Sequence, residues 1–137
     1  AMVVCVGTNK GRVHGDMGST DCPFSLNTAK SVLFDGVVVI GGAHISSLIP
    51  LGEAKCFILE SFKHGKPIAA VNEGIDLLRV LSLPGVKLAE REDELVSHQG
   101  VVTTCHPTAD MVEFGKAVFN AIAAHRHFDR NVDTIPV

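Results

Sequence analysis

Four consecutive β-branched residues, Val37, Val38, Val39 and Ile40, lie between Asp35-Gly36 and Gly41-Gly42. An amphipathic helix would place polar residues within such a run, and a half-solvated strand would alternate. This run does neither. It predicts a strand buried on both faces, as in a parallel sheet covered by helices. Parallel strands need long crossover connections, and the sequence supplies them. In "LGEAKCFILESFKHG" (51–65), Ala54, Phe57, Ile58, Ser61 and Phe62 share one helical face, Lys55 and Lys63 lie off it, and Gly65 is a stop signal. "PIAAV" (67–71) predicts a second buried strand, with a helix following to Leu81. "VVTTC" (101–105) predicts a third. Thr108 then caps a long helix to His125, with Met111, Phe114, Val118, Phe119 and Ile122 on its inner side. "MVVCVG" (2–7) reads as a strand. The Gly- and Asp-rich stretch after it reads as turns or a small hairpin with a strand at Arg12–His14. "SLNTAKSVLF" holds one helical turn, "VKLAE" a short strand and "REDELVSHQG" a loop. The fold class is α/β: an open, mostly parallel sheet with helices on both faces.

The 137 residues suffice for one domain with a real core. A net charge of -3 gives no positive field for nucleic acid, and the absence of Trp and Tyr removes the best stacking surfaces. No apolar run nears the ~20 residues of a membrane helix. Neither nucleic acid nor membrane is expected as a partner. Cys5, Cys22, Cys56 and Cys105 match no zinc or CxxC spacing, and the seven histidines form no metal-ligand pattern. Cys5, in a strand, and Cys56, on the apolar side of a helix, read as buried thiols. Cys22 reads as an exposed loop thiol. Cys22 and Cys56 are the candidate redox-sensitive residues. His125 and His127 fit a solvated helix end, and "EREDE" (90–94) a solvated loop.

Two segments could carry chemistry. Gly41-Gly42, directly after a strand, lets the backbone bend and expose N–H groups to an anion, or simply ends the strand. "AVNEG" turns a strand straight into a helix, the geometry that presents a nucleophile in many α/β enzymes. Its apex offers Asn72 and Glu73. In "CHP", Cys105 and His106 are neighbours, but adjacent strand residues point to opposite faces, so they meet only if the strand ends there.

"FDGVVVIGG", "KPIAAVNEG" and "VVTTCHPTADMVEFGKAVFNAI", in that order, resemble the PfpI and DJ-1 superfamily. In that family a Gly-Gly strand end donates an oxyanion hole, and the next strand ends in a cysteine-bearing elbow. Gly41 and Gly42 match the first element. Asn72 stands where the family has Cys, and Glu73 where some members have His. "VTT" with Pro107 and Asp110 fits the late strand. "ESFKHGKPIA" and the tail "AAHRHFDRNVDTIPV" resemble the flavodoxin-like C-terminal domain of the large-subunit haem catalases of filamentous fungi.

The resemblance implies a flavodoxin-like domain over 1–127 that lacks the usual first strand–helix unit, with 128–137 as a surface tail. It implies no catalytic residue, no metal and no cofactor in this chain, the haem belonging to the catalase core. Gly41, Gly42, Ala43, Asn72, Glu73, Gly74 and His106 would form a degenerate elbow and vestigial pocket. An amide cannot be activated as a thiolate is, so thiol chemistry is not expected there. The implied function is accessory. The domain would stabilise a homotetrameric, hydrogen-peroxide-dismutating parent, with the catalase core as partner, and act as a chaperone-like holdase for unfolded clients when isolated. The alternative is a hydrolase or glyoxalase-type enzyme using Cys105 or Glu73 near Gly42. The compartment stays open.

Overall fold

The computed structural model describes residues 1–105 and 111–136. A short β1 (Val6–Gly7) leads into a hairpin of β2 (Gly11–Gly15) and β3 (Gly18–Cys22), then β4 (Phe24–Ser25). A 3-10 turn (Ser31–Leu33) precedes β5 (Val37–Val39). The chain continues through α1 (Ile45–Leu48), α2 (Gly52–Lys63), β6 (Ile68–Val71), α3 (Gly74–Leu81), β7 (Leu95–His98), β8 (Val101–Thr104) and α4 (Met111–Ala123). The main sheet has the order β5-β6-β8-β7, parallel except for β7. Two small ribbons stand apart from it, β1 with β4 in parallel and β2 with β3 antiparallel.

Register decides which side chain meets which layer. Val37, Ile68 and Val101 are aligned, as are Val39, Ala70 and Thr103. This face packs Val39, Ile68, Ala70 and Val101 against Phe57, Ile58 and Phe62 of α2 and Ile75, Leu77 and Leu78 of α3. The opposite face packs Ala69 and Val102 against Phe114 and Ala121 of α4. On α2 the buried positions are Ala54, Phe57, Ile58, Ser61 and Phe62, as the helical spacing predicts. Gly65 ends the helix at φ +70, where a side chain would be strained. Phe62 is fully buried, and the Arg130 guanidinium lies 4.4 Å from its ring centroid. Arg130 also donates to the carbonyls of Phe62 at 2.9 Å and Gln99 at 2.8 Å, and Ile135 is buried too. The C-terminal segment thus sets two side chains into the core. Burial lowers the Arg130 pKa to about 10. Lys66 is also buried and donates to the carbonyls of Ser31 and Phe34, clamping the segment before β5.

Several expectations fail for identifiable reasons. The Val37–Ile40 run is not covered on both faces: Val38 is 52% and Ile40 69% exposed. β5 is the sheet edge, and α4 lies over β6 and β8 rather than over it. On α4, Phe114 and Ala121 define the buried line, while Met111 and Phe119 are exposed. Leu95–His98 is a strand rather than loop, because it pairs with β8. "VKLAE" forms no strand; the Ala89 N–H donates instead to Thr103 Oγ1 at 2.8 Å. The first strand is limited to Val6–Gly7. The thiol expectations are reversed. Cys22 is buried and disulfide-bonded to Cys5, and Cys56 is exposed. His106, Pro107, Thr108 and Asp110 lie outside the described residues.

Candidate functional site

β6 passes into α3 with two residues between them, Asn72 and Glu73. Asn72 adopts φ +51, a left-handed conformation that Asn tolerates better than most residues. The Asn72 N–H donates to the Thr104 carbonyl at 3.0 Å, tying the apex to the end of β8. The Ile75 N–H donates to the Asn72 carbonyl at 3.0 Å, and the Asp76 N–H to the Glu73 carbonyl at 2.9 Å, starting the helix. Gly74 is required here, since a Cβ on it would lie 2.5 Å from the Val39 carbonyl oxygen. A Cβ on Gly41 would come within 2.6 Å of the Val71 carbonyl oxygen and of Glu73 Oε2. The Gly-Gly segment after β5 and the turn after β6 therefore touch through backbone.

Gly41, Asn72, Glu73 and Gly74 are brought together by this contact. Gly42, at φ +141, turns the chain away toward α1, where the Ala43 carbonyl accepts from the Ser46 hydroxyl at 2.8 Å. His106 lies outside the described residues. Cys22 sits at the base of the hairpin and Cys56 on α2, elements remote in sequence from the turn.

Beside the turn opens a cleft of about 210 Å³ lined by Asn72, Glu73, Asp76, Arg79 and Cys105. Cys105 is half-buried, and its thiol donates to the Ala89 carbonyl at 3.8 Å. Arg79 bonds Asp76 Oδ1 at 2.7 Å and the Ala89 carbonyl at 3.0 Å. A thiol, two carboxylates and a guanidinium thus face one cleft. The carboxylate of Asp76 offsets the charge of Arg79. The sequence reading missed Asp76 and Arg79; the available signal was their i, i+3 spacing at the start of a helix.

A second cleft of about 370 Å³ is lined by Lys30, Ser31, Val32, Glu60, Lys63 and His64. Ser31 Oγ lies 3.4 Å from both Glu60 Oε2 and His64 Nδ1. Glu60 and His64 are one helical turn apart, but Ser31 joins them only through tertiary packing, which no local pattern reveals. Among the described residues, no three His, Cys, Asp or Glu side chains could share a metal ion.

A family model described as the C-terminal domain found in long catalases matches residues 3–132. Catalase HPII of Mycobacterium avium is 39% identical over 124 residues, 89% of this chain and 17% of that protein. Catalase-2 of Bacillus subtilis is 36% identical over 107 residues, 77% of this chain and 13% of that protein. Catalase-1 of Neurospora crassa is 33% identical over 147 residues, 97% of this chain and 20% of that protein. Among solved structures, a two-domain protein of Anabaena variabilis with DJ-1/ThiJ/PfpI-like and ferritin-like domains superposes with a TM-score of 0.77. It is 22% identical, with 98% of this chain and 43% of that chain covered. A ThiJ/PfpI domain protein of Brachyspira murdochii gives 0.76 at 19% identity, covering 87% of this chain and 78% of that one. The fold is that of the ThiJ/PfpI-like domains. The chain spans a fifth or less of the length of these three catalases.

Proposed function

The chain belongs to the family of C-terminal domains found in long catalases, and from that premise we propose that it is a non-catalytic accessory domain of a catalase that dismutates hydrogen peroxide. One observation carries the reading: the apex of the elbow presents Asn72, whose side-chain amide is no nucleophile near neutral pH. Gly41, Gly42, Ala43, Glu73, Gly74 and His106 belong, in this reading, to a vestigial pocket around a turn kept for its backbone packing.

We read neither cleft as a haem site: the larger holds one histidine, His64, whose Nδ1 lies 3.4 Å from Ser31 Oγ among two lysines and a glutamate, and the smaller has no histidine among its lining residues. We assign haem to the rest of the polypeptide, as we do peroxide chemistry. The domain stabilises the parent homotetramer by packing against its core. Detached, it acts as a holdase, binding unfolded clients through the apolar side chains of Val38, Ile40 and Phe119, each more than half exposed.

Deleting residues 1–137 from the parent catalase tests this. Peroxide turnover per haem should stay within about twofold while the half-life of activity on heating falls. Turnover per haem lost at ambient temperature would overturn it. The holdase role is checked by light scattering from a heat-labile client enzyme. Suppression no better than that of an inert protein at equal mass removes it.

A second reading has one observation in its favour, because Cys105 shares the cleft with Asn72 and Glu73. The chain would then be a hydrolase or a glyoxalase-type enzyme with a displaced nucleophile. Turnover of an ester or of methylglyoxal, abolished by Cys105→Ser, would establish it. Absence of turnover would end it.

A further inference from the structure

We propose that this chain associates head-to-tail with a second copy of itself, the acidic end of one copy, around residues 90–95, seating against the basic cleft beside Ser31–Leu33 of the next. The inference goes beyond the catalase reading and does not depend on it.

The sheet holds the two surfaces apart. The turn after β6 and the loop 90–94 lie at the C-terminal ends of β6 and β8. There the Asp93 N–H donates to the Cys105 carbonyl at 3.2 Å, and the Cys105 N–H to the Glu94 carbonyl at 3.3 Å. Arg79 of α3 reaches the Ala89 carbonyl at 3.0 Å, so the helix and the loop share one surface. Ser31–Leu33 leads into β5, and the end of α2 leads into β6, so both lie at the opposite, N-terminal ends of the parallel strands. A contact between the two surfaces therefore takes two copies.

Charge divides along the same axis. Against Glu73, Asp76, Glu90, Glu92, Asp93 and Glu94, the segments 72–79 and 89–94 carry two cations, Arg79 and Arg91. The loop is also pre-formed: Glu94 Oε2 accepts the Glu90 N–H at 2.8 Å and the Arg91 N–H at 3.0 Å. Those two bonds hold the Glu94 carboxyl below its ordinary pKa, and so ionised. At the other end, Lys30, Lys63 and His64 line the larger cleft, with Glu60 as its carboxylate. Lys66 bonds the Ser31 carbonyl beside it, and the charges of Arg126 and Asp35 both reach Lys66. Four cations thus meet Glu60 and Asp35, and that end is positive even with His64 neutral.

Each end also carries apolar surface next to its charge. Val32 is 67% and Leu33 61% exposed, directly after Lys30 and Ser31. Leu95, paired opposite Thr104 at the acidic end, is 40% exposed and follows Glu94. One contact can then bury Leu95 against Val32 and Leu33 while the carboxylates of the loop face Lys30 and Lys63. The net charge of -3 on each copy opposes association, but it acts between centres a domain's width apart. The unlike ends act at contact, and Coulomb energy falls with distance, so the local attraction wins. Two different surfaces make the contact heterologous, and it propagates beyond a pair unless rotation closes a ring.

Sedimentation velocity of residues 1–137 tests this. In about 0.01 M sodium chloride, where the Debye length is about 30 Å, the mean mass should climb with concentration past that of two chains. In about 1 M salt, where the length is about 3 Å, it should return to that of one chain. A single chain at every concentration in low salt, or association indifferent to salt, would overturn the proposal. Two variants then test which surfaces meet. Lys30→Glu with Lys63→Glu, and Glu90→Lys with Glu92→Lys, should each stay monomeric, because each keeps one intact end. Mixed, they should form a one-to-one pair and grow no further, since one native contact remains. Association of either variant alone, or growth of the mixture past a pair, would overturn the proposal. Leu95→Ser leaves the charge unchanged and should weaken association of the otherwise wild-type chain about tenfold. No weakening would mean that charge attracts without a defined contact, and the proposed seating would fail.

Discussion

At the scale of single residues, the turn after β6 is held by backbone strain and close packing rather than by chemistry. Asn72 sits at φ +51, so the cost of replacing it depends on the backbone freedom of the newcomer. Asn72→Ala should destabilise the isolated chain by about 1 kcal/mol, and Asn72→Gly by less. Urea unfolding decides; a Gly variant no more stable than the Ala variant would show that the conformation carries no strain. Lys66 allows a test by pH. Its amine donates to two carbonyls, and burial, followed by the charge of Arg126, lowers its pKa from the ordinary 10.5. The unfolded chain therefore holds the proton more tightly than the folded one in the window just below 10.5. Stability from this group rises with pH through that window. Lys66→Met strands the Ser31 and Phe34 carbonyls and should cost about 2 kcal/mol at neutral pH. The advantage of the wild type should widen toward pH 10.5, measured as denaturation midpoints at each pH. A constant gap would mean that Lys66 keeps its proton equally well in both states. The sequence placed Asn72 at the apex of the turn but not its left-handed backbone, and nothing in it marked Lys66, one of seven lysines, as a clamp.

At the scale of elements, helices were legible wherever one face meets a fully formed layer. The buried positions of α2 followed from spacing because that one face packs into the core cluster it shares with the sheet and α3. The inner face of α4 was misjudged at Met111 and Phe119, because apolar residues surround more of that helix than its contact requires. The misreading of β5 has the same origin. A β-branched run reports that a surface is suited to burial, not that the described residues bury it. The turn itself was legible from "AVNEG" and Gly41-Gly42, since glycine is dictated where backbones touch. The Arg79–Asp76 pair and the Ser31–Glu60–His64 contacts depend on packing between distant segments and left no local mark. Paired substitutions on α4 check its orientation. Phe114→Ala should cost the isolated chain about 3 kcal/mol, as expected for a buried aromatic. Phe119→Ala should change it by less than about 0.5 kcal/mol. Comparable losses at both sites would mean that α4 packs on a different line.

At the scale of the whole molecule, the chain divides into unequal parts. The four-stranded sheet is packed on both faces, by α2 and α3 on one and by α4 on the other, whereas the β2–β3 ribbon is exposed at every position except Cys22. An isolated two-stranded ribbon is marginal in water. Two covalent or ionic ties hold this one: the Cys5–Cys22 disulfide at its base and the Arg12–Asp21 pair at 3.2 Å. The ion pair is solvated and weak. The disulfide joins residues 17 apart, and constraining a loop of that length is worth about 3 kcal/mol. That free energy is concentrated on the ribbon and on β1, because the main sheet contains neither cysteine. Reduction should therefore open one part and spare the other. With a mild reductant, amides of Arg12–Asp21 should exchange freely, while those of Ala69 and Val102, inside the sheet, keep their protection. Cys5→Ser with Cys22→Ser should reproduce that pattern without reductant. Loss of protection at Ala69 and Val102 in either experiment would show that the ribbon and the core unfold as one unit, and that the disulfide supports the whole fold.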